Sequence, residues 1–159
     1  MKKIFLVFLT MFFCFATQLN AQNNRHLYWD ELQLAFSNRT EDEMKISTNL
    51  FTKIFRHNKA ISEGISKNEA MTNFNPKFNK VDNQNRLLIM IRFKPGILSE
   101  TEKVKNVVLN SGGVNIREEI GHNGCAEIYC WLPIEKIINV TSNPGVGFIQ
   151  IVYPSITNS

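Results

Sequence analysis

The feature that most constrains the fold is the alternation of apolar and polar residues in the second half of the chain, from Arg86 onwards. Apolar residues occupy every second position over Arg86–Phe93, and this period of two is typical of a β-strand with one buried face. Similar alternation begins at Val114 and returns across Ala126–Leu132 and Val146–Val152. The second half is therefore predicted to contain four strands.

Two helices are predicted between these strands. Residues Ser99–Glu102 have the spacing of a capping box, and Ser111–Gly113 ends the helix that follows it. Pro133 suits the first turn of the other helix, and Asn123-Gly124 is typical of a tight hairpin turn. The resulting β-α-β-β-α-β order predicts an α+β domain of the ferredoxin-like type, an antiparallel sheet in the order 4-1-3-2 with both helices on one face.

The first half of the mature chain, residues 22–85, is predicted to be a helical segment followed by a loop. One short helix is expected near 27–37, and a capping box at Thr40 and Glu43 opens a second helix that runs to about His57. The apolar stripe expected on that second helix comprises Met44, Phe51, Ile54 and Phe55. Residues 60–85 are rich in Asn and turn-forming residues, so a loop is predicted there.

The first 21 residues are predicted to be a secretory signal peptide. Two lysines precede an apolar run over residues 4–16, and the small residue Ala21 follows at the expected cleavage site. That run is shorter than the roughly 20 residues that span a membrane, so no stable membrane insertion is expected after cleavage. We expect export to the periplasm or the extracellular space, with the mature protein beginning at Gln22.

The composition argues against several functional classes. The formal net charge of +4 falls when the two signal-peptide lysines are removed, so the basic balance does not indicate a nucleic-acid partner. The chain lacks the CxxC, HExxH, GxGxxG and GxxxxGK[ST] motifs. Cys125 and Cys130 lie on opposite faces of one strand, too far apart for a disulfide, with Cys130 expected in the core. We expect no enzyme activity, no cofactor and no metal site.

Several short runs in the second half carry a resemblance to a known family. The runs are Arg92–Gly96, Gly112-Gly113, Leu132–Ile138 and Asn143–Val146, together with Ile149. Over about residues 86–154 they resemble the N-terminal prodomains of secreted subtilisin-like serine proteases. The resemblance implies a ferredoxin-like domain that inhibits or helps to fold a protease by packing its open sheet face on the enzyme. The catalytic motifs of the protease are absent from this sequence, so a separate inhibitor, a folding chaperone or a truncated relic is expected.

Alternation along the strands predicts a patch on the sheet face that points away from the helices. Its expected members are apolar or aromatic: Leu88, Met90, Tyr129, Trp131, Ile149 and Ile151. Two interpretations are open. Either the helices near 27–37 and 40–57 cover this patch, or it contacts a partner, which would be a subtilisin-like protease or a second copy of the chain.

The C-terminal residues 155–159 are predicted to form an extended tail after the domain at 86–154. Pro154 cannot continue the ladder of hydrogen bonds and restricts Tyr153 to extended geometry. The resemblance implies that the tail enters a protease cleft, with Ile156 in an apolar subsite and the carboxylate of Ser159 beside the nucleophile. A frayed chain end is the other interpretation.

The alternative function is a structural or self-associating envelope protein without a protease partner.

Overall fold

The chain divides into two compact units, Met1–Arg39 and Thr40–Ser159. A computed structural model describes four stretches of it, residues 28–72, 81–96, 100–121 and 124–153. The predicted signal peptide and the tail residues Ile156 and Ser159 lie outside these stretches.

In the first unit, residues 28–37 form helix α1, which agrees with the helix predicted near 27–37. Leu32 is buried on this helix. Near its C-terminal end, the hydroxyl of Ser37 donates a hydrogen bond of 3.0 Å to the carbonyl of Gln33. The guanidinium of Arg39 lies 5.8 Å from the centre of the Phe36 ring.

The second unit is a mixed α+β domain, as predicted. In chain order its elements are α2 (Glu41–Met44), α3 (Thr48–Ser62), α4 (Lys67–Thr72), β1 (Arg86–Phe93), α5 (Thr101–Asn110), β2 (Val114–Ile120), β3 (Ala126–Pro133), a 3₁₀ turn (Ile134–Lys136), α6 (Ile137–Thr141) and β4 (Val146–Ile151). The strands form one four-stranded sheet in the order β2-β3-β1-β4, so β1 and β3 are central, as expected. Every strand pair in the sheet is antiparallel.

One face of the sheet is sealed by the helices. On β1, Leu87, Ile89 and Ile91 are fully buried. They lie opposite Leu132, Cys130 and Ile128 of β3, which are buried as well. The inward residues Val104 and Val108 of α5, with Ile137 and Val140 of α6, complete this core. Cys130 is buried as predicted, and burial raises the pKa of its thiol to about 12.

Residues 40–72 belong to the same compact unit as the sheet, and the boundary between the two units follows Arg39. The capping box is confirmed: the backbone N–H of Glu43 donates to the hydroxyl of Thr40, and the backbone N–H of Thr40 donates to the Glu43 carboxylate. The helix it opens, α2, ends at Met44 rather than near His57.

The early end of α2 has a physical cause in the sheet. Residues 45–47 run beside the outer edge of β4, where Ile46 forms a parallel bridge with Ile149. Two backbone hydrogen bonds of 2.8 Å hold them there, from Ser47 N–H to the Ile149 carbonyl and from Ile149 N–H to the Lys45 carbonyl. The chain then re-enters a helix, because the Ser47 hydroxyl caps α3. This break leaves Met44 exposed, contrary to the predicted stripe.

The loop predicted over 60–85 is also corrected in part. Helix α3 continues to Ser62, and α4 follows over Lys67–Thr72 with Ala70 and Met71 buried. The Ser66 hydroxyl accepts a hydrogen bond of 3.3 Å from the Glu69 backbone, so a local cap helps to start α4 in a sequence rich in polar residues.

Candidate partner-binding face

The sheet face opposite the core is called here the open face. The pairing register of the strands determines which side chains lie on this face, because residues directly opposite each other in antiparallel strands point to the same side. Its members on the central strands are Leu88, Met90 and Arg92 of β1 with Trp131, Tyr129 and Glu127 of β3. The outer strands add Arg117 and Glu119 of β2, with Phe148 and Gln150 of β4.

The four predicted patch residues on β1 and β3 therefore come together, but the two on β4 do not. Ile149 and Ile151 lie opposite Ile91 and Ile89 and are buried in the core. The prediction for β4 was wrong because its alternation is interrupted. The pairing of β1 with β4 shifts in register between Arg92 and Phe93. Val146 and Ile149 are therefore both buried although they are three positions apart, a spacing that regular alternation would place on opposite faces. Phe148 and Gln150 take the open-face positions instead.

One end of the open face is a depression of about 380 Å³, called the aromatic depression. It is lined by Leu88, Asn115, Arg117, Tyr129, Trp131, Val152 and Tyr153. Trp131 is half-buried and lies between Leu88 of β1 and Val114 of β2. The register of β2 shifts between Val114 and Arg117, and Asn115 there has a φ of 53°. Irregularities of this kind redirect side chains at sheet edges.

The other end of the open face is a depression of about 460 Å³, called the polar depression. It is lined by Met90, Arg92, Glu119, Ile120, Gly121, Glu127, Tyr129 and Gln150. Tyr129 lines both depressions and stands between them. The open face is therefore two adjoining hollows of different chemistry, and not the uniform apolar patch that the sequence predicted.

A buried carboxylate organises the polar depression. The side chain of Glu127 is only 7% exposed. One of its oxygens accepts a hydrogen bond of 2.8 Å from Nε of Arg92, and the other accepts one of 3.0 Å from the Tyr129 hydroxyl. Burial raises the pKa of Tyr129, and its hydrogen bond to Glu127 raises it further. Because both oxygens have donors, the charge of Glu127 is compensated within the face.

Arg117 lies on the aromatic side of Tyr129. Its guanidinium stands 5.0 Å from the centre of the Tyr129 ring, within the range of a cation–π contact. One nitrogen also lies 3.1 Å from the Glu119 carboxylate, and the Arg117 side chain is 66% exposed. Arg117 is not among the predicted patch residues, because that prediction covered only apolar and aromatic side chains.

Of the two helical segments that were expected to cover the patch, only the one after Thr40 shares a compact unit with the sheet. Helices α2 and α3 contact α6, the 3₁₀ turn and β4. The ammonium of Lys45 donates to the Thr141 carbonyl at 2.7 Å, and Lys67 pairs with Glu135 at 2.9 Å. Among the described residues that line the two depressions, none comes from 40–72. Helix α3 reaches the rim, where Asn49 donates a hydrogen bond to the Tyr153 hydroxyl.

Tyr153 is the one predicted tail residue that the structure describes. It is exposed and lines the aromatic depression. The sheet ladder ends just before it: β4 stops at Ile151, and the Val152 N–H still donates to the Leu88 carbonyl at 2.9 Å. The ladder of sheet hydrogen bonds therefore ends before Pro154, as the sequence predicted.

Within the described stretches, no group of three or more His, Cys, Asp or Glu side chains is arranged to hold a metal ion. The described helices include none that is long and apolar enough to cross a membrane. Cys125 and Cys130 are both buried and are not joined in a disulfide. Comparisons of the chain with protein-family models, with curated proteins and with solved structures gave no match.

Proposed function

We propose that the chain is an exported, non-enzymatic binding module whose open face docks on a subtilisin-like serine protease, as an inhibitor or a folding chaperone. The observation that carries the proposal is the position of Trp131 and Tyr129. They lie two residues apart on the central strand β3, on the face opposite the helix-covered core. The class of partner rests on the resemblance of residues 86–154 to protease prodomains.

The chemistry of the open face supports docking on a protein surface. Tyr, Trp and Arg are the residues that most often carry the binding energy of interfaces. This face has one of each close together, since Trp131 and Arg117 line the same depression as Tyr129. A docked partner would remove water from Glu127. That carboxylate already has Arg92 and Tyr129 as donors, so its desolvation would leave no unpaired charge. The face combines apolar anchors with a polar group that tolerates burial.

The tail has a separate role in this proposal. Tyr153 leaves the sheet at the rim of the aromatic depression, so a chain end that follows it starts beside the docking face. Residues 154–159 would then lie in the protease cleft as an extended strand, bound through backbone hydrogen bonds, with Ile156 in an apolar subsite. The sheet face would supply affinity, and the tail would block the active site.

An inhibition assay and a binding assay on the intact protein and on one truncated variant test this division of roles. The intact protein is expected to inhibit a subtilisin-like protease at micromolar concentration. Deletion of Ile156–Ser159 is expected to abolish inhibition but to weaken binding to the same protease, inactivated at its nucleophile, only in part. If the intact protein neither binds nor inhibits such enzymes at micromolar concentration, the proposed function is wrong.

A further inference from the structure

The chain leaves the sheet at the rim of the aromatic depression. Val152 and Tyr153 both line this hollow, and the Val152 N–H donates to the Leu88 carbonyl at 2.9 Å. The Tyr153 hydroxyl accepts a hydrogen bond from Asn49 of α3, which holds this residue at the rim. Residues 154–159, called here the C-terminal segment, therefore start beside a hollow of their own chain.

The aromatic depression follows one row of residues across the sheet. Val152 pairs with Leu88, Leu88 lies opposite Trp131, and Trp131 lies opposite Val114. The row runs from β4 at one edge, over β1 and β3, to β2 at the other edge. Neighbouring strands are about 4.8 Å apart, so β3 lies about 10 Å from β4, and β2 lies about 14 Å from it.

The length of the C-terminal segment matches this row. An extended chain covers about 3.3–3.6 Å per residue, so the third residue after Tyr153 reaches the strand that carries Trp131. That residue is Ile156, the one apolar residue of the segment besides Pro154. The whole segment spans about 20 Å, which is enough to reach Arg117 on β2.

The chemistry of the C-terminal segment also suits the aromatic depression. The segment has no charged side chain, so it can enter an apolar hollow without burying an unpaired charge. Arg117 is the only charged side chain among the described residues that line the depression. Together with the Asn115 amide, it supplies donors for backbone carbonyls at the far side of the row.

We propose that the C-terminal segment folds back over the aromatic depression of its own chain, with Ile156 packed between Leu88 and Trp131. Because the segment is joined to the rim, its effective concentration at the hollow is in the millimolar range, and a weak contact is enough to fill it. Any other occupant has to come from solution. The segment then covers Trp131 in the free protein and has to leave before this residue can contact a partner.

This inference goes beyond the proposed docking on a protease and is tested without one, so its failure would leave that proposal untouched. In NMR spectra of the mature protein, nuclear Overhauser contacts are expected between the Ile156 methyl groups and the Trp131 indole ring. Ile156→Ser is expected to shift the resonance of the Trp131 indole N–H. Thr157→Ser, at the next residue, is the matched control and is expected to leave it in place. Spectra of the intact protein without contacts from Ile156 to Trp131 or Leu88 would overturn the proposal.

Quenching of tryptophan fluorescence by acrylamide gives a second measurement. In Trp29→Phe protein, Trp131 is the only tryptophan. Deleting residues 156–159 is expected to raise its quenching constant about twofold, and a peptide with the sequence of residues 154–159 is expected to reverse this at millimolar concentration. In the intact protein the quenching constant is expected to be independent of protein concentration. A quenching constant unchanged by the deletion would overturn the proposal. Protection that grows with protein concentration would overturn it too, because the segment of a second copy would then cover Trp131.

Discussion

The two faces of the sheet share the same strands, and neighbouring residues such as Leu88 and Ile89 belong to opposite faces. The core face is uniform: its members are apolar, helices cover it, and its burial stabilises the domain. The open face is mixed, with aromatic, basic and acidic side chains in two hollows. Alternation along a strand therefore decides which neighbouring side chains lie on opposite faces of the sheet. The pairing between strands decides which side chains meet on one face, and so which interactions that face can make.

The largest expected difference between the faces is in stability. Ile89→Ala removes a fully buried side chain and leaves a cavity in the core, so it is expected to lower the free energy of unfolding by about 3 kcal/mol. Leu88→Ala, one residue away on the open face, is expected to cost about 1 kcal/mol or less. Urea denaturation of both variants measures the difference. Equal losses would show that the open face is as closely packed as the core.

A smaller effect is expected from the buried carboxylate. Glu127→Gln removes the charge that Arg92 and Tyr129 hold, and is expected to cost about 2 kcal/mol of stability. Glu119→Gln is the matched control, because Glu119 lies directly opposite on β2 but makes an exposed ion pair. Its expected cost is below about 0.5 kcal/mol. A Glu127→Gln protein as stable as its control would mean that the network contributes nothing to the fold.

The smallest expected effect is a loss of stability at alkaline pH. Burial and the hydrogen bond to Glu127 raise the pKa of Tyr129 in the folded protein. Its contribution to stability is therefore complete below the pKa of an unfolded tyrosine and is lost as the pH rises through the folded value. Denaturation between pH 9 and 11 (roughly the range in which tyrosine titrates) measures the loss, and Tyr129→Phe is expected to reduce it. If stability falls with pH in the same way in Tyr129→Phe, the alkaline loss of stability comes from another group.

Much of the sheet could be predicted because its signals are local. The alternation over Arg86–Phe93 and the Gly112-Gly113 stop are short-range patterns, and the structure agrees with both. The placement of Tyr129 and Trp131 on the open face followed from the same period of two. The capping box at Thr40 is confirmed for the same reason, since its partners are three residues apart.

The features that sequence reasoning missed depend on contacts between distant residues. The early end of α2 depends on Ile46 meeting Ile149 at the edge of β4. The side on which Ile149 and Ile151 lie depends on a register shift against β1 that no pattern within β4 shows. The network around Glu127 requires Arg92 to lie directly opposite it in the sheet. Composition alone gave no sign that a carboxylate would be buried there.

The central claim is that the open face is a docking surface, and one variant tests it most directly. Trp131→Ala is studied by denaturation and by binding to an inactivated subtilisin-like protease. The matched control is Trp29→Ala, which changes an exposed tryptophan of α1. A docking role predicts that Trp131→Ala weakens binding by about 2 kcal/mol or more, with a loss of stability near 1 kcal/mol, while the control does neither. A stability loss of about 3–5 kcal/mol with unchanged binding would contradict it, because Trp131 would then belong to the core.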